Sequence, residues 1–262
     1  MLELLVYLAV GTCAGLIAGL LGAGGGAIII PPLLWIFARN DIPVSVAVHM
    51  AIGTSLATIV ITALASIRAH HRRGAVMWPV FIRLSPGIIS GALLGAIIAD
   101  ALNGEVLRFV FSGCLLLLAF QIGIGFKPTA QQNLPGILGL FSAGMFTGAV
   151  SAIIGIGGAA LIVPFFLWCN LSVRNAVATS AACGLPLALA GSSGYIFMGW
   201  SNPELPTWSA GYVYGPALVG IATASMVFAP LGARLAHTLP TGILRKIFAA
   251  VLAIISINMM LN

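Results

Sequence analysis

Apolar runs long enough to cross a lipid bilayer follow one another along almost the whole chain, at about residues 4–37, 43–67, 77–99, 105–125, 136–168, 174–198, 209–233 and 243–261. A hydrocarbon core of about 30 Å needs about 20 helical residues to cross it, so each run is a membrane-helix candidate. Charge is correspondingly scarce: 11 Lys+Arg and 5 Asp+Glu among 262 residues, or 6%, against roughly 25% in soluble domains. That scarcity excludes a soluble enzyme, a secreted disulfide domain and a nucleic-acid binder. The net charge of +6 requires a topological explanation, because the basic residues cluster nowhere beyond Arg68 and Arg72-Arg73. The N-terminal stretch has no basic region and carries Glu3, so it reads as a span rather than a cleaved signal. Cys13, Cys114, Cys169 and Cys183 stand singly in apolar stretches and read as small packing residues, with no metal or disulfide.

Two runs, 4–37 and 136–168, are too long for one crossing, and both are broken by glycine, at Gly22-Ala-Gly-Gly-Gly26 and Gly155-Ile-Gly-Gly158. A shift of 133 residues aligns Gly11 with Gly144, Gly15 with Gly148, Gly24 with Gly157, Gly25 with Gly158, Pro31 with Pro164 and Trp35 with Trp168. Further on, Gly53-Thr-Ser55 resembles Ala178-Thr-Ser180, and Leu107-Arg-Phe-Val-Phe111 resembles Leu244-Arg-Lys-Ile-Phe248. An ordered series of this kind marks a duplication, the usual build of a secondary transporter.

Charge then orients the halves. If each broken run is a hairpin entering and leaving on one side, each repeat holds a hairpin plus three spans and the second repeat is inverted. The cytoplasmic side then receives Arg68, Arg72, Arg73, Lys127, Arg174, Arg234, Arg245 and Lys246, while all five acids lie outside. The expected fold is an all-α polytopic membrane protein of two inverted repeats. The first, 1–130, holds hairpin 4–37 and spans 43–67, 77–99 and 105–125. The second, 131–262, holds hairpin 136–168 and spans 174–198, 209–233 and 243–261. The hairpin arms either dip halfway or cross fully.

Both breaks fit a loose G-x-G-x-x-A fingerprint, but no strand precedes them and no βαβ unit exists to hold a dinucleotide. Their physics still applies. Glycine lets backbone turn sharply and approach a ligand, and a helix starting inside a membrane presents free N–H groups to an anion. Gly24, Gly25, Gly26 and Ala27, with Gly157, Gly158 and Ala159, are therefore candidate substrate ligands. The alternative role is packing, which the G-x-x-x-G sets at Gly11/Gly15/Gly19 and Gly87/Gly91/Gly95 are expected to serve. Thr54, Ser55, Thr179 and Ser180 lie at similar depth and could donate to substrate oxygens, or back-bond within their helices. Thr58, Cys183, Ser192 and Ser193 are weaker candidates. His49 is a candidate proton carrier or substrate contact, or a neutral ring bonded to a neighbouring helix. Arg83 either snorkels to the cytoplasmic surface or guides substrate at the inner mouth. Gly191-Ser-Ser-Gly194 and His237 fit a rhomboid-like intramembrane protease, a remote alternative, because the charge map puts Ser193 and His237 at opposite faces.

The doubled glycine breaks followed by Ile30-Pro31 and Val163-Pro164, the Gly53-Thr-Ser-Leu56 segment and the paired Leu-Arg-x-x-Phe motifs together resemble the TauE/SafE sulfite exporter (TSUP) family over nearly the whole chain. The resemblance implies an inner-membrane permease for small anions: sulfite, sulfonates such as sulfoacetate, other organosulfur anions or 2-oxo acids. The second repeat departs from the first, with Ala178 for Gly53 and Ala181 for Leu56. The expectation is a multi-pass secondary transporter of a small anion by alternating access, with a channel-like pathway as alternative. It is expected to work with a coupling proton or sodium ion, without cofactor or metal, and as a monomer or homodimer.

Overall fold

A computed structural model describes residues 2–21, 25–124, 133–235 and 241–261, and among these ten helices and one hairpin of two two-residue strands build the fold. In order they are α1 Leu2–Leu21, α2 Gly26–Arg39, α3 Val44–Arg72, α4 Trp78–Ala101, α5 Gly104–Ile124, α6 Ile137–Ile154, α7 Ala159–Trp168, α8 Val173–Gly199, β1 Ser209–Ala210, β2 Val213–Tyr214, α9 Gly215–Leu235 and α10 Thr241–Leu261. Among the described residues, α3, α4, α5, α6 and α8 are long and apolar enough to cross a membrane. The protein is thus a helical, multi-pass membrane protein.

Local chemistry sets the breaks. Gly155 closes α6 in the left-handed conformation, at φ +67°, which a side chain rarely adopts. The Ser172 hydroxyl accepts from the Asn175 N–H and caps α8, and Pro79 sits where α4 begins, a position that needs no N–H. One expected boundary is corrected. The run read as a span from 209 starts as a hairpin in which Ser209 pairs with Tyr214 and Ala210 with Val213. Left-handed Trp208 and Gly211 turn the backbone there, and α9 begins only at Gly215.

Helices pack in a pattern that survives exchange of the halves: α4 lies along α6 and α1 along α9, while α3 meets α8 and α5 meets α10. In the first pair, Gly87 and Gly91 face the carbonyls of Phe141 and Met145, while Gly144 faces that of Leu84. In the second, Gly11 and Gly15 face the backbone of Ile221 and Ser225, and the Ser225 hydroxyl donates to the Gly11 carbonyl at 2.9 Å. These glycines serve close helix packing.

Side-chain bonds sort the helix ends. Asn40 donates to Glu3 at 3.0 Å, so α1 begins where α2 ends. At that same end Ser45 donates to Glu204 at 2.9 Å and Tyr212 donates to Asp100 at 3.0 Å. At the opposite end Arg174 donates to the Arg73 carbonyl. Central helices α3 and α8 therefore run antiparallel. Glu3, Asp41, Asp100 and Glu204 gather at one end of the molecule with Arg39 and Arg108, and Arg68, Arg72, Arg73 and Arg174 at the other.

Candidate functional site

Thr54 lies ten residues beyond the start of α3, a rise of about 15 Å, or half a bilayer core. Thr54, Ser55, Thr179 and Ser180 are all fully buried, and the glycine breaks meet beside Ser55. A Cβ added at Gly26 would lie 2.5 Å from the Gly155 oxygen and 2.9 Å from Ser55 Oγ. Ser55 itself donates to the Gly155 carbonyl at 2.9 Å. The start of α2 is thereby locked to the end of α6, although the two breaks are far apart in sequence. Gly25 is equally tight, since its Cβ would lie 2.8 Å from the Ala14 oxygen. In α7 the first backbone bonds run from Ala160 to Gly157 and from Leu161 and Ile162 to Gly158. Among the described residues, the N–H groups of Gly157, Gly158 and Ala159 meet no acceptor, as expected at a helix start. Gly157, Gly158 and Ala159 are buried, as are Gly25, Gly26 and Ala27; Gly24 lies outside the described residues.

The four hydroxyls separate by role. Thr54 Oγ1 accepts from the Tyr214 N–H at 2.9 Å, and Thr179 Oγ1 accepts from the Met77 N–H at 3.0 Å. Met77 caps α4 and Tyr214 precedes α9, and each follows a left-handed glycine three residues earlier, Gly74 or Gly211. Each central helix thus pins the strap, Gly74–Met77 or Gly211–Tyr214, that leads into the other half's next helix. Among the described residues neither threonine hydroxyl proton has an acceptor. Ser180 Oγ has no partner at all, an orphan it shares only with Tyr7 Oη and Ser209 Oγ among the described residues. Thr179→Val keeps the shape but leaves the partly buried Met77 N–H unmet, so it should cost about 1–2 kcal/mol. Thr54→Val should cost the same, read as a lower unfolding temperature in detergent.

Sequence reasoning missed the straps, although one signal was present. Gly74, Met77 and Pro79 recur as Gly211, Tyr214 and Pro216 at a spacing of 137. The straps also account for Ala178 standing where the first repeat has Gly53. A Cβ at Gly53 would lie 2.7 Å from the Tyr212 oxygen, whereas Ala178 packs in a small cluster with Ala75 and Val76.

His49 is buried, with Nδ1 2.9 Å from the Ser45 oxygen and Nε2 2.9 Å from the Ala99 oxygen. Arg83 is exposed on α4, so it does not join the buried cluster. Thr58 and Ser192 bond the carbonyls of Thr54 and Ala188 in their own helices, the ordinary helical pattern. Cys183 is buried and Ser193 exposed, while His237 lies outside the described residues.

The family model "Sulfite exporter TauE/SafE" matches residues 7–259. A "Probable membrane transporter protein" of Haemophilus influenzae is 36% identical over 262 residues, covering 99% of this chain and 98% of the relative. "Probable membrane transporter protein YdhB" of Bacillus subtilis is 28% identical over 239 residues, 88% of this chain and 90% of the relative. "Probable membrane transporter protein MJ0441" of Methanocaldococcus jannaschii is 28% identical over 265 residues, 100% of this chain and 97% of the relative. No solved structure matches the chain.

Proposed function

This chain belongs to the sulfite exporter TauE/SafE family, and from that premise we propose that it moves a small sulfur-containing anion, such as sulfite or a sulfonate, by alternating access. That it is a membrane transporter follows from the family and from its relatives; membership also replaces the protease alternative. The observation carrying the site is the meeting of the two breaks at Ser55. Gly26 abuts Gly155 and Ser55, and the buried Ser180 hydroxyl has no partner among the described residues. An anion there would take N–H groups from Gly157, Gly158 and Ala159, with their counterparts at Gly24, Gly25, Gly26 and Ala27. Thr54, Thr179 and Ser180 would add O–H donors along the anion's path, while Ser55 is engaged in holding the breaks together. Neutral donors suit an anion that must also leave, because they avoid a fixed buried charge.

Antiparallel α3 and α8, the packing that survives exchange of halves and the separation of acids from bases support two inverted repeats. With the basic end cytoplasmic, the arrangement also obeys the positive-inside rule. Both straps are pinned across the halves, which favours a closed site opened by rocking over a channel-like pathway. Purified protein in liposomes, given labelled sulfite, thiosulfate, sulfoacetate and pyruvate, should show saturable flux for at least one sulfur anion. Saturation by pyruvate alone would point to a 2-oxo acid substrate, and flux that never saturates to a channel. No flux for any of the four would sink the transport reading. Gly25→Val and Gly158→Val should each abolish flux, and flux surviving both would remove the hairpins from the mechanism.

A further inference from the structure

We propose that His49 is the site of the coupling proton, and that its proton ties the Gly211–Tyr214 strap shut at the acidic end of the transporter. Both ring nitrogens face carbonyl oxygens, Nδ1 that of Ser45 on its own helix and Nε2 that of Ala99 at the end of α4, each at 2.9 Å. A carbonyl only accepts, and a neutral imidazole has a single N–H. The neutral ring therefore serves one oxygen and turns a lone pair on the other. The imidazolium donates to both, joining α3 to α4.

The surroundings extend this joint to the strap. Tyr212 stacks on the His49 ring, with centroids 5.0 Å apart and planes inclined by 29°, and an aromatic face attracts a cation. The Tyr212 hydroxyl donates to Asp100, the residue after the one whose carbonyl takes Nε2. Ser45, whose carbonyl takes Nδ1, sends its hydroxyl to Glu204. Two carboxylates thus stand behind the two oxygens that hold the ring. Tyr195 of α8 meets Tyr212 edge-on at 6.3 Å, and Arg108 of α5 lines a cavity with Val44, Ala47 and Val48 of α3. Two residues beyond Tyr212, the Tyr214 N–H is pinned by Thr54, so the proton and the hydroxyl secure one segment from two sides. Loss of the proton turns a ring lone pair on one of the two carbonyl oxygens and removes the charge beneath Tyr212. Release of the proton and opening of the strap are then linked, and the coupling ion is a proton rather than sodium.

The inference rests on the transport reading, but one of its tests does not. In detergent, a variant with His70, His71 and His237 replaced by Gln leaves His49 as the sole imidazole for nitrogen NMR. Both ring nitrogens should carry protons while Tyr212 is stacked on the ring; one bare nitrogen in that closed state overturns the proposal. In liposomes, sulfite should accumulate about tenfold for each unit of imposed pH difference, as one coupled proton requires. His49→Gln should lose that drive while still exchanging labelled sulfite across the membrane. A His49→Gln protein that still concentrates sulfite against its gradient overturns the proposal too. Absence of sulfite movement by the unaltered protein counts against sulfite transport, and the NMR result then decides the proton site alone.

Discussion

Ser180→Ala is expected to stabilise the protein while impairing its transport, a combination that a purely structural serine does not produce. The Ser180 hydroxyl is fully buried and meets no partner among the described residues, and removing such an unsatisfied group should add about 1–2 kcal/mol to stability. If that hydroxyl donates to the anion, its loss removes a charge-assisted bond of about 1.5–3 kcal/mol, raising KM roughly 10–100-fold. Ser55→Ala should do the reverse to stability. It strips the Gly155 carbonyl of its donor and should cost about 1–2 kcal/mol. Unfolding temperatures in detergent and KM in liposomes test both variants together. A Ser180→Ala protein with unchanged KM would remove this hydroxyl from the site.

Gly91→Leu should be the most damaging change outside the site. The Met145 carbonyl oxygen occupies the place a Cβ at Gly91 would take. A main-chain oxygen inside a helix cannot rotate away, so α4 and α6 must separate along their length. Overpacking of a well-packed core costs about 1–3 kcal/mol where side chains can yield. Here backbone must yield, and we expect at least about 3 kcal/mol, or a fall of roughly 6–12 °C in Tm. Gly113→Leu is the control, since nothing lies within 4 Å of a Cβ there, and it should leave Tm nearly unchanged. Equal losses in the two variants would show that bulk in the bilayer, not the α4–α6 contact, sets the cost.

The helices were legible from hydropathy because lipid offers no hydrogen bonds, so a span must be a long apolar segment that satisfies its own backbone. The breaks were legible for the complementary reason: clustered glycines interrupt such a segment, and the same pattern stands twice. The start of α9 was not. Ser-Ala-Gly-Tyr-Val-Tyr at 209–214 is apolar enough for a span, and only the turn at left-handed Gly211 shows that it folds back as a strap. The site was legible as two Thr-Ser pairs but not in its asymmetry. Ser55 and Ser180 follow identical threonines, yet among the described residues one holds the Gly155 carbonyl and the other holds no partner. Arg83 read as either a surface or a mouth residue until the fold left it exposed. For His49, hydropathy showed an ionisable ring inside a span, and only the fold supplied its two carbonyl partners. The sequence alone determined which segments enter the membrane and where they break, because hydropathy and backbone freedom are properties of neighbouring residues. Only the tertiary structure decided which polar atoms are matched and which are left over, because each partner arrives from a helix on the far side of the chain.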